Sequence, residues 1–362
     1  MLRRDVLIRL GLQFPAAALG VAGYASGARA VVPAQAQPSV KTPDRTIELE
    51  IDPETQEAAV PSSVAVHPNG QILAAGGDDH RIRLWNIADG SLLAQLREHT
   101  DWVRSVAFHP SGKQLASGGD DYQVLLWNLE THEIVRRWSV ATGVVHLVAF
   151  RPDGKLLAAA GFDDVVRLYD TQSGALAHQL TTAASDVHAL AFSPNNQQLA
   201  AAGRNGVVRI WNLSDYRVAA DVPAHRMRLR AIAYSPDGGQ FATAGDDRKL
   251  FLWNADGSRA AALAAPPGKV FSLAFLGSDV LAMGGSDNVI RVLDVQTRRE
   301  LAQLTGHSGS VAALDYHRDS GLLASAAFDT SVRLWTPGES TRSPSKVTQL
   351  PTAAPPRRPL TK

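Results

Sequence analysis

Val207-Val208-Arg209-Ile210-Trp211-Asn212 is one of seven related segments, each an apolar stretch that ends in a large, usually aromatic residue. Clear copies are Arg81-Ile82-Arg83-Leu84-Trp85-Asn86, Val165-Val166-Arg167-Leu168-Tyr169-Asp170 and Ser331-Val332-Arg333-Leu334-Trp335-Thr336. The large residues form a ladder with steps of 42, 42, 42, 42, 40 and 42 residues, and its rungs are Trp85, Trp127, Tyr169, Trp211, Trp253, Leu293 and Trp335. A constant period near 40 residues is typical of a repeat protein.

One repeat, from Asn86 to Trp127, contains four short apolar segments separated by turn residues. Asp89-Gly90 is a turn pair, and His109-Pro110-Ser111-Gly112 is a Pro/Gly turn between the second and third segments. Four short strands in each repeat predict an all-β chain. A four-stranded sheet cannot bury both faces alone, so we expect the sheets to stack around an axis as a seven-bladed β-propeller.

The repeats resemble those of the WD-repeat β-propellers over roughly residues 46–336. The resemblance rests on the Trp-Asn and Tyr-Asp endings, on Gly306-His307, and on the recurring Ser/Thr-x3-Asp-x5-Trp spacing. It implies four-stranded antiparallel blades in which the first strand of each repeat is the outer strand of the preceding blade. The last blade then needs a strand from the start of the propeller, and Thr46-Ile47-Glu48-Leu49-Glu50-Ile51 is the predicted closing strand.

An acid or amide stands six residues before every rung, which could suggest catalysis or metal binding. These residues are Asp79, Asp121, Asp163, Asn205, Asp247, Asp287 and Asp329. A His 28 residues before the rung occurs only in the second, fifth and seventh repeats. The same three repeats are the only ones with Ser or Thr ten residues before the rung. Because a buried partner without its mate is costly, this coincidence indicates hydrogen-bonded networks.

The resemblance identifies these networks as structural tetrads rather than catalytic groups. The predicted tetrads are His99-Ser117-Asp121-Trp127, His225-Thr243-Asp247-Trp253 and His307-Ser325-Asp329-Trp335. The third, fourth and sixth repeats lack a full tetrad, so we expect them to depend more on apolar packing.

The composition excludes several classes of function. The chain has 362 residues, a formal net charge of +1 and no cysteine, so it offers no strong field for nucleic acid and no thiolate metal site. It has no Walker loop, Rossmann fingerprint or His-Glu-x-x-His motif, and Gly306-His307-Ser308-Gly309-Ser310 lacks the final Gly of a nucleophile elbow. We therefore expect a monomeric protein that is not an enzyme, with no catalytic residue, cofactor or nucleic-acid partner.

The two ends of the chain differ in composition from the repeats. Arg3-Arg4-Asp5-Val6-Leu7-Ile8 resembles a bacterial twin-arginine export signal, and Ala34-Gln35-Ala36, or alternatively Ala28-Arg29-Ala30, is a small-x-small cleavage site. The predicted division is a signal peptide at 1–36, a linker at 37–45, the propeller at 46–336 and a disordered Pro/Ser/Thr-rich tail at 337–362. We expect a periplasmic protein without a membrane span after cleavage; the alternative is a cytoplasmic one.

In WD-repeat propellers, partners commonly dock where loops enter the innermost strands. One ring of equivalent positions on that face reads Val60, Trp102, Val144, Asp186, Arg228, Lys269 and Ser310. A second ring, two residues later, reads Ser62, Arg104, His146, His188, Arg230, Phe271 and Ala312. A third, just before the turn acids, reads Asp78, Asp120, Phe162, Arg204, Asp246, Ser286 and Phe328.

These rings contain large apolar residues at positions expected to be exposed, and four nitrogen-bearing side chains at one equivalent position. Aromatic residues and Arg are typical anchors of protein interfaces. We predict a protein-interaction scaffold whose partner-binding residues are Trp102, Arg104, His146, Phe162, Asp186, His188, Arg204, Arg228, Arg230, Lys269, Phe271 and Phe328. The alternative is a periplasmic propeller that binds a small anionic ligand, a cofactor or a metal at the channel mouth, either as a binding protein or as an enzyme.

Overall fold

The computed structural model describes residues 38–49, 58–140, 143–264 and 266–338. The predicted signal peptide, the end of the predicted closing strand (Glu50-Ile51) and nearly all of the predicted tail lie outside these ranges. Every helix or strand element in the described ranges is a β-strand, which confirms the prediction of an all-β chain.

Twenty-nine strands form seven sheets within the described ranges, and each sheet is one blade. Two strands precede the first blade: β1 Ser39–Lys41 and β2 Arg45–Glu48. Blade 1 contains β3 Pro61–Val66, β4 Ile72–Gly77, β5 Ile82–Asn86 and β6 Leu92–Leu96; blade 2 contains β7 Val103–Phe108, β8 Gln114–Gly119, β9 Gln123–Asn128 and β10 Ile134–Ser139. Blade 3 contains β11 Val145–Phe150, β12 Leu156–Gly161, β13 Val165–Asp170 and β14 Leu176–Thr181; blade 4 contains β15 Ala189–Phe192, β16 Gln198–Ala202, β17 Val207–Asn212 and β18 Arg217–Pro223. Blade 5 contains β19 Leu229–Tyr234, β20 Gln240–Gly245, β21 Leu250–Asn254 and β22 Arg259–Ala262; blade 6 contains β23 Val270–Phe275, β24 Val280–Gly285, β25 Ile290–Asp294 and β26 Arg299–Leu304. Blade 7 contains β27 Val311–His317, β28 Leu322–Ala327 and β29 Ser331–Trp335.

The blades close into a ring through their inner strands. Each inner strand contacts the inner strand of the next blade, and β27 of the last blade contacts β3 of the first. Neighbouring strands within a blade are antiparallel, and the third strand of each blade carries the rung residue between the second and fourth strands. The structure is therefore the predicted seven-bladed propeller.

The hydrophobic core is divided into clusters between neighbouring blades. In the cluster between blades 3 and 4, for example, Leu168 and Leu180 pack with Trp211 of the following blade. Trp211 is 2% exposed, and truncating an aromatic residue in such a core typically costs about 3–5 kcal/mol. The rung residues are large because each fills the space between two sheets, which a single sheet could not enclose.

The start of the described chain closes blade 7 from the outside. Strand β2 pairs antiparallel with β29, so that Ile47 lies opposite Val332, as predicted for the closing strand. In addition, β1 pairs in parallel with β26 of blade 6, within the segment predicted to be a linker. The chain therefore joins the outer edges of blades 6 and 7, and β1 satisfies backbone groups on an edge that would otherwise be open.

Candidate functional site

The predicted tetrad of blade 2 is assembled at the side of the blade. His99 bonds through Nδ1 to Asp121 at 2.8 Å and through Nε2 to the Ser117 hydroxyl at 2.7 Å. The Trp127 indole N–H donates to the same hydroxyl oxygen at 2.9 Å. Ser117 is completely buried, so the chain of bonds from Trp127 to Asp121 satisfies polar groups that water cannot reach.

The tetrads of blades 5 and 7 have the same geometry. His225 lies 2.8 Å from Asp247 and 2.9 Å from Thr243, while His307 lies 2.9 Å from Asp329 and 2.7 Å from Ser325. Burial lowers the pKa of His225 and of His307, despite the opposing hydrogen bonds to their carboxylates. Burial raises the pKa of the paired Asp247, but the bond from His225 and two backbone N–H groups outweigh it, so its pKa lies below the usual value. The hydroxyls of Thr243 and Ser325 are completely buried, so these networks satisfy polar groups that water does not reach.

Blades 1, 3 and 6 replace the tetrad with an Arg–Asp pair. An Arg two residues before the rung lies within hydrogen-bond distance of the turn acid; the pairs are Arg83–Asp79 at 2.7 Å, Arg167–Asp163 at 2.6 Å and Arg291–Asp287 at 2.9 Å. The sequence interpretation missed these pairs because it followed only the His and hydroxyl positions. The signal was the combination of an Arg two residues before the rung with an Asp six before it and no His 28 before it, which only these three repeats have. The expectation that repeats without tetrads depend on apolar packing is therefore incomplete.

The channel mouth is a cavity of about 720 Å³ at the ends where the inner strands begin. All seven members of the second ring line it, together with the first-ring residues Val60, Trp102 and Lys269 and the third-ring residues Asp78 and Phe328. Eight of the predicted partner-binding residues thus share one cavity: Trp102, Arg104, His146, His188, Arg230, Lys269, Phe271 and Phe328. Of the other four, Phe162 and Arg204 are exposed, Arg228 is half-buried and Asp186 is buried.

Three of the four large apolar residues in the rings are exposed, as expected. Trp102 is 42% exposed, Phe162 60% and Phe328 54%. Phe271 is only half-buried at the cavity wall, and the expectation that it is exposed was wrong. Phe271 belongs to the second ring, all of whose members line the cavity.

The two Arg side chains of the second ring are paired within their own blades. Arg104 binds Asp120 with two nitrogens, the Nε bond measuring 2.8 Å, and its guanidinium lies 4.2 Å from the Trp102 ring centroid. Arg230 binds Asp246 through two bonds of 3.1 Å. Each of these two cations carries its own carboxylate, and Lys269, which also lines the cavity, lies 3.6 Å from the Asp246 that Arg230 binds.

Blades 3 and 4 bring two His side chains and one carboxylate together. The rings of His146 and His188 stack with centroids 4.5 Å apart, and Asp186 Oδ1 lies 2.9 Å from His188 Nε2. The other oxygen of Asp186 lies 2.7 Å from Arg228. Burial, followed by the neighbouring His146, lowers the pKa of His188 to about 4; burial likewise lowers the pKa of His146. Both rings are consequently neutral near pH 7.

The family model of the WD domain, G-beta repeat, matches residues 54–86, 90–128, 174–212, 217–254 and 298–336, which together are just over half of the chain. A second model, the WD40 domain of anaphase-promoting complex subunit 4, matches residues 138–192. The chain therefore belongs to the WD40 repeat family, as the repeat ladder and the tetrads indicate.

Curated relatives match over short segments. The chain is 40% identical over 58 residues to Periodic tryptophan protein 2 of Saccharomyces cerevisiae, covering 16% of this chain and 6% of the relative. It is 46% identical over 43 residues to a probable serine/threonine-protein kinase, PkwA, of Thermomonospora curvata (12% and 6%). A p21-activated protein kinase-interacting protein 1-like of Danio rerio is 32% identical over 89 residues, or 24% of each chain. The matched segments are thus a quarter or less of these relatives' own length.

A membrane-crossing helix is not found in the described part of the chain, where no helix is both long and apolar enough to span a bilayer.

Proposed function

We propose that this protein is a non-catalytic scaffold that binds a partner protein on the face that carries the channel mouth. The observation that carries the proposal is the pair of exposed aromatic side chains, Trp102 and Phe328, that line one cavity, with Phe162 exposed at an equivalent position of the third ring. WD40 propellers are typically protein-interaction scaffolds, which supports this assignment.

The residues of the channel mouth favour a partner segment in which apolar side chains are flanked by polar ones. Phe271 and Leu147 form part of the cavity wall, while Trp102 and Phe328 stand at its rim. Trp102 is held by the stacked Arg104, which Asp120 holds in turn, so little conformational freedom is lost when a partner covers it. Preorganised aromatic residues of this kind supply most of the binding energy of protein interfaces.

Photo-crosslinking in the native cell tests the proposal. A benzophenone side chain at position 328 should capture a specific partner, whereas the same group at Leu176, an outer-strand residue that is 45% exposed, should not. With the purified partner, Trp102→Ala and Phe328→Ala should each weaken binding by about 2 kcal/mol or roughly 30-fold, measured by titration calorimetry. Leu176→Ala is the matched control and should bind as the wild type does. Equal crosslinking at both positions, or undiminished affinity of the two mouth variants, would refute the docking face.

We also propose that the protein is made in a bacterium and exported to the periplasm by the twin-arginine route. The proposal rests on Arg3-Arg4 before an apolar segment and on the small-x-small site at Ala34-Gln35-Ala36. Cell fractionation should find a shortened protein in the periplasm, and Arg3→Lys with Arg4→Lys should leave the full-length chain in the cytoplasm. Arg81→Lys in blade 1 is the matched control and should not alter export. Unshortened wild-type protein in the cytoplasm would overturn the proposal.

A further inference from the structure

The backbone of blade 4 places a carboxylate where the other blades have none. Asp186 adopts a left-handed conformation with φ of 61°, and its backbone N–H donates to Phe162 at 2.9 Å. The next N–H, of Val187, donates to Gly161 at 2.7 Å. These two bonds hold the chain against the end of blade 3 before β15 begins, so Asp186 lies between His146 of blade 3 and His188 of blade 4.

The three side chains offer ligand atoms within one small volume. One atom from each of His146, Asp186 and His188 lies within 4.8 Å of the other two, and this group is the one set of its kind in the described part of the chain. Ligands bound ~2.1 Å from one tetrahedral ion lie about 3.4 Å apart. Asp186 Oδ1 lies 2.9 Å from His188 Nε2 and 3.9 Å from His146 Nδ1, so the first pair must separate slightly and the second must close slightly. The near-parallel imidazoles must also turn, and the His ring torsion is soft enough for such a movement.

The donor set and the surroundings select the kind of ion. Two imidazole nitrogens and one carboxylate oxygen suit first-row divalent transition metals such as Zn²⁺ better than Mg²⁺ or Ca²⁺. Both His side chains line the open cavity, so three protein ligands leave a coordination position directed to solvent, as in open zinc sites. The charges of Arg104 and Arg230 are offset by Asp120 and Asp246, whereas Arg228 contacts Asp186 directly and competes with the ion for it.

We propose that His146, Asp186 and His188 form a binding site for one divalent transition metal ion at the channel mouth. The ion replaces the contact between His188 and Asp186 Oδ1 and leaves Arg228 on Oδ2. This site does not depend on the proposed docking function, because metal binding is measured on the purified protein alone.

Titration calorimetry with ZnCl₂ tests the site, on untagged protein treated with EDTA and returned to a non-chelating buffer. The wild type should bind one Zn²⁺ per chain with a dissociation constant in the micromolar range, and His188→Ala and Asp186→Asn should each weaken it by 10-fold or more. His132→Ala, which removes an exposed His on the outer side of blade 2, is the control and should change nothing. Arg228→Met should tighten binding, because it removes a competing cation from Asp186, a response that a merely structural role would not produce.

Thermal melting distinguishes loss of the site from loss of the fold, and His188→Gln is a conservative second variant should His188→Ala melt early. Substitution with Co²⁺ should give visible absorption bands in the wild type that disappear in both His188 variants. Absence of Zn²⁺ binding by the wild type, or binding that persists unchanged in folded His188 and Asp186 variants, would overturn the proposal.

Discussion

Blades 2, 5 and 7 hold their turn acid with a buried His, whereas blades 1, 3 and 6 hold it with an Arg from the neighbouring strand. In blade 2 the side chains of His99 and Asp121 are only 1% and 2% exposed, while in blade 6 those of Arg291 and Asp287 are 14% and 22% exposed. The same acid position therefore belongs to a dry network in one class of blade and to a partly hydrated ion pair in the other. The energetic cost of removing the acid should differ accordingly, because solvent screens an exposed pair and not a buried network.

The largest expected effect is that of Asp121→Ala in blade 2. It leaves the His99 Nδ1 without its acceptor in a site where both side chains are almost fully buried, and the exposed Thr100 N–H loses its bond as well. We expect the free energy of unfolding to fall by about 1.5–3 kcal/mol, the range for hydrogen bonds to charged groups. Urea unfolding followed by circular dichroism measures the change. An unchanged unfolding midpoint would contradict the structural role of the tetrad.

Acidification should destabilise the protein, and the tetrads should account for part of the loss. The pKa values of His225 and His307 are lower in the folded protein than the usual 6.5, so the unfolded chain takes up their protons first as the pH falls. Because the unfolded state then binds more protons, stability decreases below about pH 6.5. The lowered pKa values of Asp121, Asp247 and Asp329 act in the same direction below their usual 3.8.

The channel mouth also contributes to the loss of stability in this pH range, because the pKa values of His146 and His188 are lowered as well. Replacing both with Gln should remove the loss of stability that comes from the mouth and leave the loss that comes from the tetrads. Melting temperatures of the wild type and the double variant between pH 7.5 and 5 measure the two contributions. A double variant that no longer loses stability on acidification would show that the tetrads contribute nothing.

Blade 4 allows the opposite experiment, in which a tetrad is added to a blade rather than removed from one. It has the rung Trp211 but carries Ala183, Ala201 and Asn205 where blade 2 has His99, Ser117 and Asp121. Ala201→Ser alone adds a hydroxyl to a site that is 1% exposed, which should cost about 1 kcal/mol because a buried hydroxyl lacks a full set of partners. Adding Ala183→His and Asn205→Asp should recover that loss. Unfolding free energies of the single, double and triple variants give the coupling energy, and additive effects would argue against the network as a cooperative unit.

The propeller and the tetrads could be predicted because both repeat. Seven rungs at nearly constant spacing define seven blades, and the coincidence of His99 with Ser117, repeated in two further blades, identifies the networks. The parallel pairing of Ser39–Lys41 could not be predicted in this way, since it occurs once and joins residues about 260 positions apart. A strand of three residues also carries no alternation of apolar and polar side chains that would set it apart from a linker.

In the candidate site, too, the features that recur from blade to blade could be predicted and the feature that occurs once could not. The three rings of equivalent positions led to eight residues that do line one cavity. The inner strands of the six other blades share one register with a bulge after the first pair, and blade 4 departs from it with a shorter strand. The contact between Asp186 and the two His side chains depends instead on the left-handed backbone at Asp186, which only blade 4 has at that position. The pairing of Arg104 with Asp120 and of Arg230 with Asp246, each 16 residues apart, was visible in the rings but becomes interpretable only once the strands are placed.

The smallest effect should be that of Asp287→Ala in blade 6, which is the counterpart of Asp121→Ala. Arg291 keeps a second acid, because its other terminal nitrogen lies 3.2 Å from Glu300, and both members of the pair are partly hydrated. The lost attraction is therefore screened and the remaining cation is not left alone, so the expected cost is about 0.5–1 kcal/mol. Urea unfolding in low and high salt separates the two classes: the effect of Asp287→Ala should shrink at about 1 M NaCl, whereas that of Asp121→Ala should persist because its network is buried. Equal costs for the two substitutions at both salt concentrations would mean that the two kinds of blade hold their turn acids equally firmly, and that burial of the network is not what makes the tetrad stronger.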